Sequence, residues 1–80
     1  LQTHDQSALC LCASLTPRER EVLAALSTGA SNKDICRQLG IAFDTVKIHV
    51  QSIYRKLGVH NRTKAALWAA QHGECLKQTA

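Results

Sequence analysis

The stretch SNKDICRQLGIAFDTVKIHVQSIYRKLG, residues 31–58, decides the fold. It opens on Ser31-Asn32-Lys33-Asp34, a capping hydroxyl with an acid three residues on, which marks a helix start. Ile35, Cys36 and Leu39 then make one apolar stripe, and Gly40 closes a helix of about two turns, too short to hold without tertiary packing. A longer helix is expected from about Phe43 to Leu57, ended by Gly58. On a wheel of about 100° per residue, Val46, Val50, Ile53 and Leu57 cluster on one side, flanked by His49 and Tyr54. The opposite side holds Asp44, Ile48, Gln51 and Arg55, with Lys47 and Ser52 at its margins. Ile48 is inconsistent with that pattern, because it is apolar and points away from the core. Two helices joined by so tight a turn form a helix-turn-helix.

Working outward, the flanks supply the rest of a small core. Thr16-Pro17-Arg18-Glu19 reads as a capping box with proline at the first helical position. Leu15 stands just before it, and Val22, Leu23 and Leu26 follow at helical spacing. Gly29 ends that helix. Downstream, Asn61 caps a fourth helix from about Arg62 to His72, with Gly73 beyond it. Ala65, Ala66, Leu67, Trp68, Ala69 and Ala70 leave this helix apolar on nearly all sides. Leu67 and Val59 are expected to face the core with Ala66 and Ala70. Trp68 then lies on another side, near Ala65 and His72, as an exposed aromatic on a smooth surface. The fold class is all-α, a compact four-helix domain containing a helix-turn-helix, over residues 15–73. Residues 1–14 read as a linker remnant or flexible tail, and residues 74–80 as a C-terminal tail.

Eighty residues make one small domain with no room for a second core. No apolar run exceeds Ala65–Ala70, far short of the roughly twenty residues of a membrane span. The polar start Leu1-Gln2-Thr3-His4-Asp5-Gln6 is not a signal peptide. At 45% apolar, the chain is not expected to be disordered. The absence of Met points to a piece excised from a longer protein. The four cysteines are Cys10, Cys12, Cys36 and Cys75. Cys10-Leu11-Cys12 lacks the two-residue spacing of a zinc knuckle or redox pair, so reduced thiols are expected, with no metal and no cofactor. His4, His49, His60 and His72 are scattered, with no nucleophile or acid at the spacing of a catalytic unit. No enzyme is expected.

Charge points to a partner. The net charge is +4, with a sequence pI near 9.1. Between Lys33 and Lys64 stand seven basic residues, namely Lys33, Arg37, Lys47, Arg55, Lys56, Arg62 and Lys64, opposed only by Asp34 and Asp44, which makes this segment +5. The remainder is −1. Basic residues often serve solubility alone. Here they coincide with a helix-turn-helix, whose second helix enters the DNA major groove. That helix must present donors and small apolar groups outward. Lys47 suits guanine O6 and N7, Gln51 suits adenine, and Ile48 suits a thymine methyl.

Leu15-Thr16-Pro17-Arg18-Glu19, Gly29, Ser31-Asn32-Lys33, Thr45-Val46-Lys47-Ile48-His49, Lys56-Leu57-Gly58-Val59, Arg62-Thr63 and Ala65-Ala66 occur in an order and at a spacing that resemble the LuxR-type helix-turn-helix. The closest resemblance is to the NarL/FixJ branch, the output domain of two-component response regulators. It covers residues 15 to about 72. The resemblance implies a DNA-binding transcription regulator in which Lys47, Ile48 and Gln51 read bases. It also implies backbone contacts from Lys33 and Thr45, joined by Asn32, with Arg55, Arg62 and Thr63 near the same surface. The fourth helix would make a homodimer on DNA through Ala65, Trp68, Ala69 and His72, with RNA polymerase as a further partner. Thr45 is alternatively a first-turn structural residue, and His49 is expected to be structural. Such a protein would work in the bacterial cytoplasm, at the nucleoid.

Two departures from the family pattern stand out. Ala42 occupies the cap position of the third helix, where the family often has Ser or Thr. The loss of a cap costs about 1 kcal/mol, which Asp44 partly offsets through the helix dipole. Cys36 stands where the family usually has Ala, and is expected to pack at the helix crossing. Two competing readings are a sigma-factor-like promoter-reading domain and a protein-interaction module using the last helix and Trp68.

Overall fold

The structure is a computed structural model that describes residues 14–73. The expectations for the linker, the C-terminal tail, Cys10, Cys12 and Cys75 lie outside the described residues. Four helices follow one another: α1 (Pro17–Ser27), α2 (Asn32–Leu39), α3 (Phe43–Leu57) and α4 (Arg62–Gln71).

Local chemistry sets these boundaries. At α1, Thr16 Oγ1 accepts the Glu19 amide at 3.0 Å and Glu19 Oε1 accepts the Thr16 amide at 2.9 Å, a complete capping box. At α2, Ser31 Oγ accepts the Asp34 amide at 3.1 Å while Asp34 Oδ2 accepts the Ser31 amide at 3.2 Å. The Ser31 amide, then its hydroxyl, hold the Asp34 carboxyl below its ordinary range. Asn61 Oδ1 caps α4 through the Lys64 amide at 2.8 Å. Helix α3 begins at Ala42 with no side-chain cap. Gly40 and Gly58 end α2 and α3 at φ 67° and 69°, the left-handed conformation in which a Cβ is strained.

Helix α1 lies against both α4 and α3, and α2 packs mainly on α3. The core is made of Val22, Leu23 and Leu26 from α1, Ile35 from α2, and Val46, Val50, Ile53 and Leu57 from α3, with Leu15 and Ala30 closing it. The expected apolar stripes of α1, α2 and α3 therefore face the core, although in α2 only Ile35 is buried and Cys36 and Leu39 pack at its edge. Cys36 is half-buried against this core, and its thiol donates to the Lys33 carbonyl at 3.1 Å.

Helix α4 corrects the sequence expectation. Ala65 and Ala69 are 0% and 2% exposed, whereas Leu67 is 57% exposed and Ala70 is on the surface. The Ala65–Ala69 pair, one turn apart, faces the core in place of Leu67 and Ala70. The physical reason is size. Two alanines at i and i+4 let α1 and α4 approach closely, and a leucine there would hold them apart. An Ala-rich helix is apolar all round, so its hydrophobicity does not fix its rotation. Trp68 is not an exposed anchor either. It is half-buried against the core and stacked on His72, with centroids 4.3 Å apart and planes at 27°. Ala65 and Ala69 are thus part of the monomer core and are not available as a dimer face.

Candidate nucleic-acid interface

Helix α3 presents its outer face because four residues at helical spacing bury the inner one. Val46 and Ile53 are fully buried, and Val50 and Leu57 nearly so. Residues rotated by about half a turn must then face water. Lys47 and Gln51 are exposed on adjacent turns, and Ile48 between them is 66% exposed. Asp44 and Arg55 continue the same exposed face toward its two ends. The three expected base-reading side chains therefore stand together on one surface. Thr45, in the first turn, is half-buried at its flank, and His49 is half-buried beside the core stripe.

One large side chain at this surface went unassigned in the sequence. Phe43, the first residue of α3, is 46% exposed. The ammonium of Lys47 lies 5.9 Å from the centroid of its ring. The signal was an aromatic residue at the start of a helix whose apolar stripe begins only at Val46. It reads locally as a helix boundary and nothing more.

A polar clamp that local sequence patterns did not reveal adds to the apolar stripe in holding α3 against α1. Glu19 is 5% exposed. Besides closing the α1 capping box, its carboxylate accepts from Ser52 Oγ at 2.6 Å and from Lys56 Nζ at 2.8 Å. Lys56 also donates to the Ser14 carbonyl at 2.9 Å. Burial alone would raise the Glu19 pKa. The bonds from Lys56, Ser52 and the Thr16 amide outweigh it and bring the group down to about 2. One carboxylate thus joins the α1 start to one flank of α3, while Lys47 and Phe43 occupy the other flank.

A second link runs between helix starts. Arg62 Nη1 donates to Asn32 Oδ1 at 2.9 Å, and Nη2 donates to the Ala30 carbonyl. Arg62 and Asn32 are both half-buried. The guanidinium fixes the α4 start against the α1–α2 turn, so two of the expected backbone-contacting residues are engaged with each other. Lys33 and Thr63 are exposed.

These contacts revise the charge pattern. Lys56 is paired with Glu19, and Arg62 is held by neutral oxygens of the domain. Among the described residues, Lys33, Arg37, Lys47, Arg55 and Lys64 are exposed and make no ion pair with a carboxylate. They remain a strongly positive set around the α2–α3 unit. Among the described residues there is also no helix long and apolar enough to cross a membrane.

Comparison with known proteins gives concordant matches. The family model described as bacterial regulatory proteins, luxR family, matches residues 13–69. The chain is 54% identical over 54 residues to a putative HTH-type transcriptional regulator, YhjB, of Escherichia coli strain K12, covering 68% of this chain and 27% of that protein. It is 46% identical over 66 residues to a nitrate/nitrite response regulator protein homolog of Haemophilus influenzae, covering 82% and 30%. It is 44% identical over 57 residues to the nitrate/nitrite response regulator NarL of Escherichia coli strain K12, covering 71% and 26%. The matched region is thus no more than 30% of the length of each of these relatives.

Proposed function

The chain belongs to the luxR family of bacterial regulatory proteins, a DNA-binding helix-turn-helix family, and from that premise we propose that α3 reads an operator in the major groove for a two-component response regulator. The observation that carries this reading is the exposed Lys47-Ile48-Gln51 face of α3. An isoleucine 66% exposed between two hydrogen-bonding side chains is out of place in a solvated helix but suits the methyl-bearing edge of a base pair. Lys47 donates to guanine, Gln51 pairs with adenine and Ile48 packs on thymine. Lys33, Thr45, Arg55 and Thr63 contact phosphates, which position the helix and supply most of the affinity. Arg62 and Asn32 act through their mutual bond, holding the α2 start in place beside Lys33. No catalytic step is involved.

The dimer proposed from sequence moves to another face of α4. Leu67 and Ala70 are its exposed apolar residues, flanked by Lys64 and Gln71, with Trp68 and His72 at the margin. Two copies meeting along this strip place two α3 helices on successive half-sites. RNA polymerase is a further partner, and the site of action is the cytoplasm. Selection from a randomised duplex pool, followed by titration of the selected duplex at several salt concentrations, tests the reading. Selective binding that weakens steeply with salt is expected. No selection, or affinity indifferent to salt, overturns it.

A further inference from the structure

Phe43 is an exposed aromatic residue at the leading end of α3, and within the domain its ring meets the Lys47 ammonium. The residue is 46% exposed and contributes to no part of the buried core. A lone exposed apolar residue is ordinary by itself, and what sets this one apart is its surroundings. Its neighbours say what kind of partner. Lys47 is one turn further along, with its ammonium 5.9 Å from the ring centroid. Ile48 is the other large exposed apolar side chain of the helix. On the wheel Lys47 lies between them, about 40° from Phe43 and about 100° from Ile48. An apolar, cationic, apolar order within a positively charged surface complements the major-groove edge of DNA, where thymine methyl groups stand among guanine acceptors and phosphates.

We propose that Phe43 is a further specificity-determining residue, whose ring packs on a thymine 5-methyl group in the major groove. The inference rests on α3 being the DNA-reading helix. The register follows from helix geometry. Phe43 and Lys47 are four residues apart, about 6 Å along the axis. Base pairs step by about 3.4 Å. The thymine touched by Phe43 lies one or two base pairs from the guanine bound by Lys47. The ring also guides Lys47, because the face that attracts the ammonium in free protein stands beside its target base.

The test is a cycle between protein and DNA. Each thymine of the selected duplex is replaced in turn by deoxyuridine, which lacks only the 5-methyl group. Binding to the 80-residue chain and to its Phe43→Ala and Phe43→Leu variants is followed by fluorescence anisotropy. Circular dichroism checks that each variant melts like the parent. One deoxyuridine, within two base pairs of a guanine, should weaken binding to the parent about four-fold, the worth of one buried methyl group. The same replacement should cost Phe43→Ala nothing further, and Phe43→Leu should keep most of the effect. Two results overturn the proposal while leaving DNA reading by α3 intact. One is a Phe43→Ala variant that binds the parent duplex as tightly as the unaltered chain. The other is a set of deoxyuridine effects equal in the parent and in Phe43→Ala, which would assign the ring to holding Lys47 alone. An unaltered chain that selects no duplex overturns both readings.

Discussion

The Lys56 ammonium lies 2.8 Å from the Glu19 carboxylate, across 37 residues of sequence. This pair, with Ser52, fixes one flank of α3 to the α1 start. Its strength depends on Glu19 being ionised. In the folded chain that group titrates near 2, below its ordinary 4.5. A folded pKa below the unfolded one means that the contribution is fully present above about pH 4.5 and is lost as pH falls toward 2. Urea unfolding followed across that window should therefore show falling stability, and Glu19→Gln should flatten this part of the profile. At neutral pH the same substitution should cost about 1.5–3 kcal/mol, the range for hydrogen bonds to a charged group. An unchanged pH profile in Glu19→Gln would show that other carboxylates govern acid unfolding.

The unfilled cap of α3 gives a substitution in the opposite direction. Ala42 has β-region dihedrals, φ −67° and ψ 150°, like the other caps, yet makes no side-chain cap bond. Ala42→Ser should stabilise the domain by about 0.5–1 kcal/mol. The thermal midpoint should rise by a few degrees, since about 1 kcal/mol shifts a domain of this size by roughly 4–8 °C. No rise would mean that Asp44 and the tertiary contacts already hold the first turn.

Base reading and phosphate contact separate by salt. Lys47→Ala or Gln51→Ala should weaken binding to the selected duplex by about 1–3 kcal/mol and relax preference at one position. Lys33→Ala should weaken all duplexes alike and reduce the salt slope by about one. Anisotropy titrations on selected and scrambled duplexes distinguish the two patterns. Equal losses on both duplexes for Lys47→Ala would move it from the bases to the backbone.

The two faces of α4 should respond differently to charge. Leu67→Glu lies on the surface and should leave the fold intact while weakening self-association and cooperative DNA binding. Ala69→Glu places a carboxylate in the core and should unfold the domain, because an unpaired buried charge costs several kcal/mol. Sedimentation and circular dichroism read the two effects. A Leu67→Glu chain that dimerises like the parent would exclude this strip of α4.

Three helices were legible in the sequence because each announces itself locally. Thr16-Pro17, Ser31-Asp34, Gly40 and Gly58 mark ends, and the stripes of α1, α2 and α3 have one hydrophobic answer each. The exposed face of α3, proposed to read bases, followed as the reverse of its stripe. Helix α4 was located but not oriented, since alanines tell buried from exposed by size and not by polarity. The dual role of Glu19 was also hidden. Its capping bond satisfied the local pattern, while Ser52 and Lys56 lie 33 and 37 residues away. The +5 segment overstated the available charge for the same reason, because the internal contacts of Lys56 and Arg62 are tertiary.

The bond from Lys56 to the Ser14 carbonyl has a mechanical consequence. Ser14 is the point where the preceding chain joins the domain, and Lys56 belongs to α3, some 13 Å along its axis from Lys47. A pull on Ser14 bears at once on the far end of α3 through Lys56, on the core through Leu15 and on the α1 start through Thr16. The residue that leads into the domain is thus linked by one hydrogen bond to the helix that bears Lys47, Ile48 and Gln51.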